Sequence, residues 1–146
     1  MSSIEDRAHV GPVGIGGWLI IPAIICVVAP LTLCYGGFES FLFADRVPSK
    51  VRSAVYLDGM LAFIIAGLWC LCGYLMLAHH QRFPRLFVAL LLAGIGKVLL
   101  GTFLLASHGV NVAPLGADFA RSFVPAVIWI PYMIRSKRVA ATFNQG

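Results

Sequence analysis

Lys97 and Arg121 each stand within a long apolar stretch, and a cation in that setting needs a physical reason. A lysine at the centre of a bilayer-spanning helix costs at least about 2.5–3.5 kcal/mol, so it normally turns toward a partner or a polar space. Lys97 is spaced three residues from Gly94 and four from Gly101, which places it on the small-residue face of a helix. Counted along helices from one membrane face, Lys97 lies about 16 Å deep and Arg121 about 20 Å. Two cations at one level, facing one cavity, would hold an anion such as a lipid phosphate or a carboxylate. Asp58, Asp118 and Glu39 are the candidate counter-ions. The count puts Asp58 about 13 Å further out than Lys97, so direct pairing calls for tilt or a bridging water. Gly67 and Trp69 are the residues expected opposite Lys97. The structural alternative is that Arg121 snorkels outward as an anchor and Lys97 is neutral or structurally paired.

Other chemistry-bearing residues offer less. Cys26, Cys34, Cys70 and Cys72 all lie in apolar stretches, where thiols behave as small hydrophobes. Cys70 and Cys72, two apart on a helix, point to different faces and make a poor chelate. The four histidines fall in tail and loops. No nucleophile–base pair, phosphate loop, dinucleotide fingerprint or metalloprotease motif is present, so neither an enzyme, a metal nor a cofactor is expected.

The elements that must carry these residues follow from composition. Of 146 residues, 60% are hydrophobic and 12% charged, with mean hydropathy +0.89. Soluble domains are about 45–50% apolar and about 25% charged, so the solvent implied is a bilayer. The formal charge of +5 resides in short loops and tails and does not indicate nucleic acid. Crossing the hydrocarbon takes about 20 apolar residues. Four spans are predicted, at 15–35, 55–78, 86–107 and 119–134, with a tail at 135–146. The expectation is an all-α, four-helix transmembrane bundle forming one membrane domain over 1–146. The first ten residues carry Glu5, Asp6 and Arg7 without a basic leader, so span one is read as retained.

Orientation follows from basic residues. Arg7, Arg82, Arg85, Arg135, Lys137 and Arg138 lie on the side of both termini, against Arg46, Lys50, Arg52 and Arg121 on the other. The excess predicts cytoplasmic termini. Trp18, Tyr74, Trp129 and Tyr132 fall toward that face as an aromatic belt. Gly59, Ala66 and Gly73 recur every seven residues on span two, and Gly94 and Gly101 on span three. These stripes predict a close-packed hairpin of spans two and three. Pro22, Pro30, Pro125 and Pro131 each free a carbonyl one turn back.

The chain ends carry distinctive sequence. Gly16, Gly17, Trp18 and Pro22 open span one. Arg121, Trp129, Pro131 and Tyr132 mark span four, followed by Ser136, Arg138, Thr142 and Phe143. Together these residues resemble the bacterial domain-of-unknown-function 2569 family of small four-span inner-membrane proteins. The resemblance implies location and topology and transfers no activity. Thr142 and Phe143 are expected in a short surface helix or a docking peptide.

The leading expectation is a non-enzymatic accessory or scaffold protein of the bacterial inner membrane. Its partners would be membrane lipids together with a membrane-protein partner or further copies of itself. The alternative is a binder or carrier of a small anionic or lipidic ligand at an intramembrane basic site, working as an oligomer.

Overall fold

A computed structural model describes residues 17–109, 111 and 116–143. Gly16 and the start of predicted span one lie outside the described residues, as do 144–146 and the side chain of Arg138. All regular structure among the described residues is helical. A 3-10 turn, Gly17–Leu19, leads into α1 (Ile20–Phe43), and a second, Ala44–Arg46, follows it. Then come α2 (Ser49–Leu77), α3 (Phe83–Ser107), α4 (Gly116–Arg135) and the short α5 (Lys137–Phe143). The segments Ile20–Arg46, Ser49–Leu77 and Phe83–Ser107 are each long and apolar enough to cross a membrane. The 20 residues of α4 would extend about 30 Å. They include Asp118, Arg121, Arg135 and two prolines, which make α4 less apolar than the other three.

Two helices run further than predicted. Helix α1 continues beyond Tyr35, the predicted end of span one, through Gly36 and Gly37 to Phe43. The polar residues beyond those glycines are satisfied along the helix itself. Tyr35 Oη donates to Glu39 Oε1 at 2.8 Å, and Ser40 Oγ donates to the Gly36 carbonyl at 3.0 Å. Helix α2 begins at Ser49, six residues before the predicted start at Val55, directly after Pro48 in an extended conformation (ψ 144°). The Val51 N–H then donates to the Pro48 carbonyl at 3.0 Å. Pro22 falls in the first turn of α1, where a missing N–H breaks no intrahelical bond.

The turn joining α2 to α3 is tight. His79 takes a left-handed conformation (φ 50°), its N–H donates to the Met76 carbonyl, and the His80 N–H donates to Leu75. This paired pattern closes a helix C-terminus around one left-handed residue, a place glycine usually fills. The ring of His79 stacks at 6.3 Å on Phe143, which gives the histidine a packing role there.

The buried core gathers toward one end of the helices. Ile65, Trp69, Cys72 and Met76 recur at helical spacing on α2, as do Phe83, Phe87, Leu90 and Leu91 on α3. Ala126, Trp129 and Met133 meet them from α4, with Val139 and Phe143 from α5 and Leu19 and Cys26 from the N-terminal side. Trp69 and Phe87 pack edge to face at 5.4 Å, and Phe83 lies 4.7 Å from Phe143. Such aromatic pairs add about 0.5–1.5 kcal/mol each beyond buried area. The end near both described termini is therefore closed by aromatic packing. Toward the other end the helices part around a cavity.

Candidate functional site

The cavity has a volume of about 460 Å³ and takes its walls from α1 to α4. Most of its surface is apolar, but Asp58 and Lys97 meet on its wall. Lys97 Nζ lies 2.5 Å from Asp58 Oδ1, with side chains 17% and 36% exposed. This is the direct contact that the register count made difficult. The count changes because α2 ends at Leu77 and α3 begins at Phe83, which leaves an axial offset of about 7.5 Å. One helical turn beyond Lys97, Gly101 has no side chain, and Asp58 Oδ1 lies 3.8 Å from where its Cβ would be. The lysine thus reaches outward along its own helix to a carboxylate seated against Gly101. Gly67 and Trp69 do not face Lys97: Gly67 has no neighbour within 4 Å at its Cβ position, and Trp69 is spent on Phe87.

The pairing alters the electrostatics of the site. A lone buried ammonium would attract an anion, but here Asp58 already answers the charge. Thr32, Ser40 and Thr102 also line the cavity. Their hydroxyls donate to the Ala29, Gly36 and Val98 carbonyls at 3.0, 3.0 and 2.8 Å. A hydroxyl that spends its proton on its own helix presents an acceptor oxygen outward. With Asp58 and Asp118 also on the wall, the lining is richer in acceptors than in donors.

Arg121 does not share this wall. Its side chain is 81% exposed and lies 3.4 Å from Asp118, one turn away on α4. The expectation of two cations facing one cavity is corrected: each has its own carboxylate. Glu39, the third candidate counter-ion, accepts from Tyr35 instead.

The small-residue stripes serve a different helix pair from the one expected. A Cβ on Gly59 would lie 3.2 Å from the Gly37 carbonyl oxygen, and one on Gly37 would lie 3.2 Å from the Gly59 carbonyl oxygen. A Cβ on Gly73 would lie 3.6 Å from Cys26 of α1. The α2 glycines thus admit α1, not α3, while Ala66 is buried. Gly94 lines the cavity with nothing within 4 Å of its Cβ position.

The described terminal motif residues other than Arg121 gather at the closed end. Pro22 is fully buried and Trp18 is 66% exposed beside it. Tyr74 is exposed as well, whereas Trp129 is buried and meets Tyr132 edge to face at 5.4 Å. The predicted aromatic belt is thereby divided, with Trp129 in the core. Pro131 stays within α4 on an exposed face. Ser136 caps α5 through an N–H bond from Val139 to its Oγ at 3.4 Å. Thr142 and Phe143 are buried, so the tail folds back as a plug.

Residues 12–144 match the family described as protein of unknown function (DUF2569). The chain is a member of the DUF2569 family. No curated protein and no solved structure matches it. Within this DUF2569 protein the end-motif residues Pro22, Trp129, Thr142 and Phe143 serve packing and Ser136 serves capping. The cavity residues Thr32, Ser40 and Thr102, and the crossing residue Gly37, were missed in the sequence. The Gly36–Gly37 pair inside an apolar run was the available signal.

Proposed function

We propose that this DUF2569 protein is a non-enzymatic, four-pass protein of the bacterial inner membrane that binds a small, donor-rich polar ligand beside Asp58 and Lys97. The observation that carries the reading is an ion pair on the wall of a cavity at mid-helix depth. Ionisable residues within membrane spans are retained at a cost and mark ligand or ion paths. The cavity volume falls in the range of about 300–1,000 Å³ common to small-molecule sites. Acceptors on its wall favour a ligand bearing ammonium, amide or hydroxyl protons over the free anion first expected. In this reading α4 is the fourth crossing, both termini are cytoplasmic, and the cavity lies toward the outer leaflet. The excess of basic residues on the side of the termini supports that orientation.

The accessory or scaffold reading is favoured by a separate feature, the folded α5 plug, which gives the cytoplasmic end a fixed shape. The two readings part in one experiment. Protein extracted with its native lipid is analysed by mass spectrometry for bound small molecules, lipids and proteins, alongside the Asp58→Asn/Lys97→Gln double variant. The ligand reading expects a small molecule held by the wild type and lost from the variant. Identical small-molecule content in both, with a protein partner retained, would replace it by the scaffold reading.

A further inference from the structure

A second cavity, of about 750 Å³, lies at the closed end, outside the aromatic core and away from Asp58 and Lys97. Its walls come from the α2–α3 turn, the first turns of α3, and the α4–α5 corner. His80, Arg82, Arg85 and Ser136 form its polar side, with Val88 and Met133 toward the apolar helices. Arg82 and Arg85, three residues apart at the start of α3, are both exposed. The ion pairs found among the described residues use Arg52, Lys97 and Arg121, and neither of these two arginines.

Folding does not explain their position. A helix N-terminus carries partial positive charge, so two arginines there oppose the dipole of α3. A topology signal needs positive charge on this side of the membrane, but not its convergence on a cavity with a histidine and a serine. The histidine is oriented as well: the Arg82 N–H donates to His80 Nδ1 at 3.1 Å, which leaves Nε2 as the ring's donor. Guanidinium forks, an imidazole N–H and a hydroxyl suit a tetrahedral oxyanion. The apolar side faces the spans, where an acyl chain would continue. Basic pockets between helices on the cytoplasmic side hold anionic lipid headgroups in this way.

We propose that the cavity bounded by Arg82, Arg85, His80 and Ser136 binds the phosphate group of an anionic phospholipid. The test titrates delipidated, full-length protein in detergent with phosphatidylglycerol and with phosphatidylcholine, followed by native mass spectrometry. Wild type is expected to prefer phosphatidylglycerol by about 30-fold, and Arg82→Gln/Arg85→Gln to abolish that preference. Arg82→Lys/Arg85→Lys, which keeps charge but loses the fork, is expected to fall between them. Arg46→Gln/Lys50→Gln removes equal charge at the opposite end and is expected to leave the preference intact. Unfolding temperatures of all variants, measured in parallel, show that each is folded. A phosphatidylglycerol preference unchanged in the Arg82/Arg85 variant, or lost equally in the Arg46/Lys50 control, would overturn the proposal. Displacement of the lipid by millimolar inorganic phosphate would assign the site to a soluble phosphate and overturn the lipid as its source.

Discussion

Lys97 meets Asp58 of α2 beside Gly101 of its own helix, and the carboxylate lies against the position a Gly101 side chain would take. A methyl group there would meet Asp58 Oδ1 at ordinary contact distance, 3.8 Å. Gly101→Ala is therefore expected to be tolerated. Gly101→Leu would occupy the carboxylate's place and separate the pair, at a cost of about 1–3 kcal/mol from overpacking alone. Thermal unfolding of the two variants in detergent checks the contrast.

The glycines divide sharply by position. At Gly37 and Gly59 a Cβ would meet the opposing backbone at 3.2 Å, whereas at Gly67 and Gly96 it would meet nothing within 4 Å. Gly37→Ala and Gly59→Ala are expected to destabilise the α1–α2 crossing by about 1–3 kcal/mol. Gly67→Ala and Gly96→Ala should be neutral or stabilising by up to about 1 kcal/mol, through helix propensity. Unfolding midpoints of the four variants test this, and equal effects at all four positions would contradict the crossing.

The tail is held by a cap and a plug. Ser136→Ala removes the oxygen that accepts from Val139, worth about 1 kcal/mol of helix stability. Phe143→Ala removes the ring packed at 4.7 Å against Phe83. Both are expected to raise hydrogen exchange across 137–143 while leaving α2 and α3 protected. Unchanged exchange in the tail would show that α5 is held by other contacts.

Much of the architecture was readable because apolar length and helical spacing are local properties. The four long helices, the short turn before α3 and the inward face of Lys97 follow from such patterns. Partner choice was less readable, because it depends on where helices end and how they slide. Ending span one at Tyr35 removed Gly37 and Ser40 from view, and with them the α1–α2 crossing and part of the cavity wall. Starting span three at Leu86 instead of Phe83, and ending span two at Ala78 instead of Leu77, lengthened the apparent gap between Lys97 and Asp58 to about 13 Å, where the helix bounds give about 7.5 Å. Ser136, Phe143 and Trp129 stood out as sequence, but their distinctiveness reports capping and packing.

Orientation yields a separate prediction. In a background free of the four native cysteines, Asn111→Cys is expected to react with a membrane-impermeant thiol reagent added to intact cells. Ser136→Cys should react only after the cells are opened. Labelling of both positions from outside would remove α4 as a crossing.

The ion pair itself is the central claim, and charge exchange tests it most directly. Removing one partner of a partly buried pair leaves an uncompensated charge and costs up to about 3–5 kcal/mol, less the relief that solvent in the cavity supplies. Asp58→Lys alone and Lys97→Asp alone are each expected to lower the unfolding temperature strongly, because each places like charges together. The Asp58→Lys/Lys97→Asp double exchange should recover a substantial part of that loss, giving a favourable coupling energy in the double-mutant cycle. A double exchange no more stable than the sum of the two single losses would contradict the pair and the site built around it.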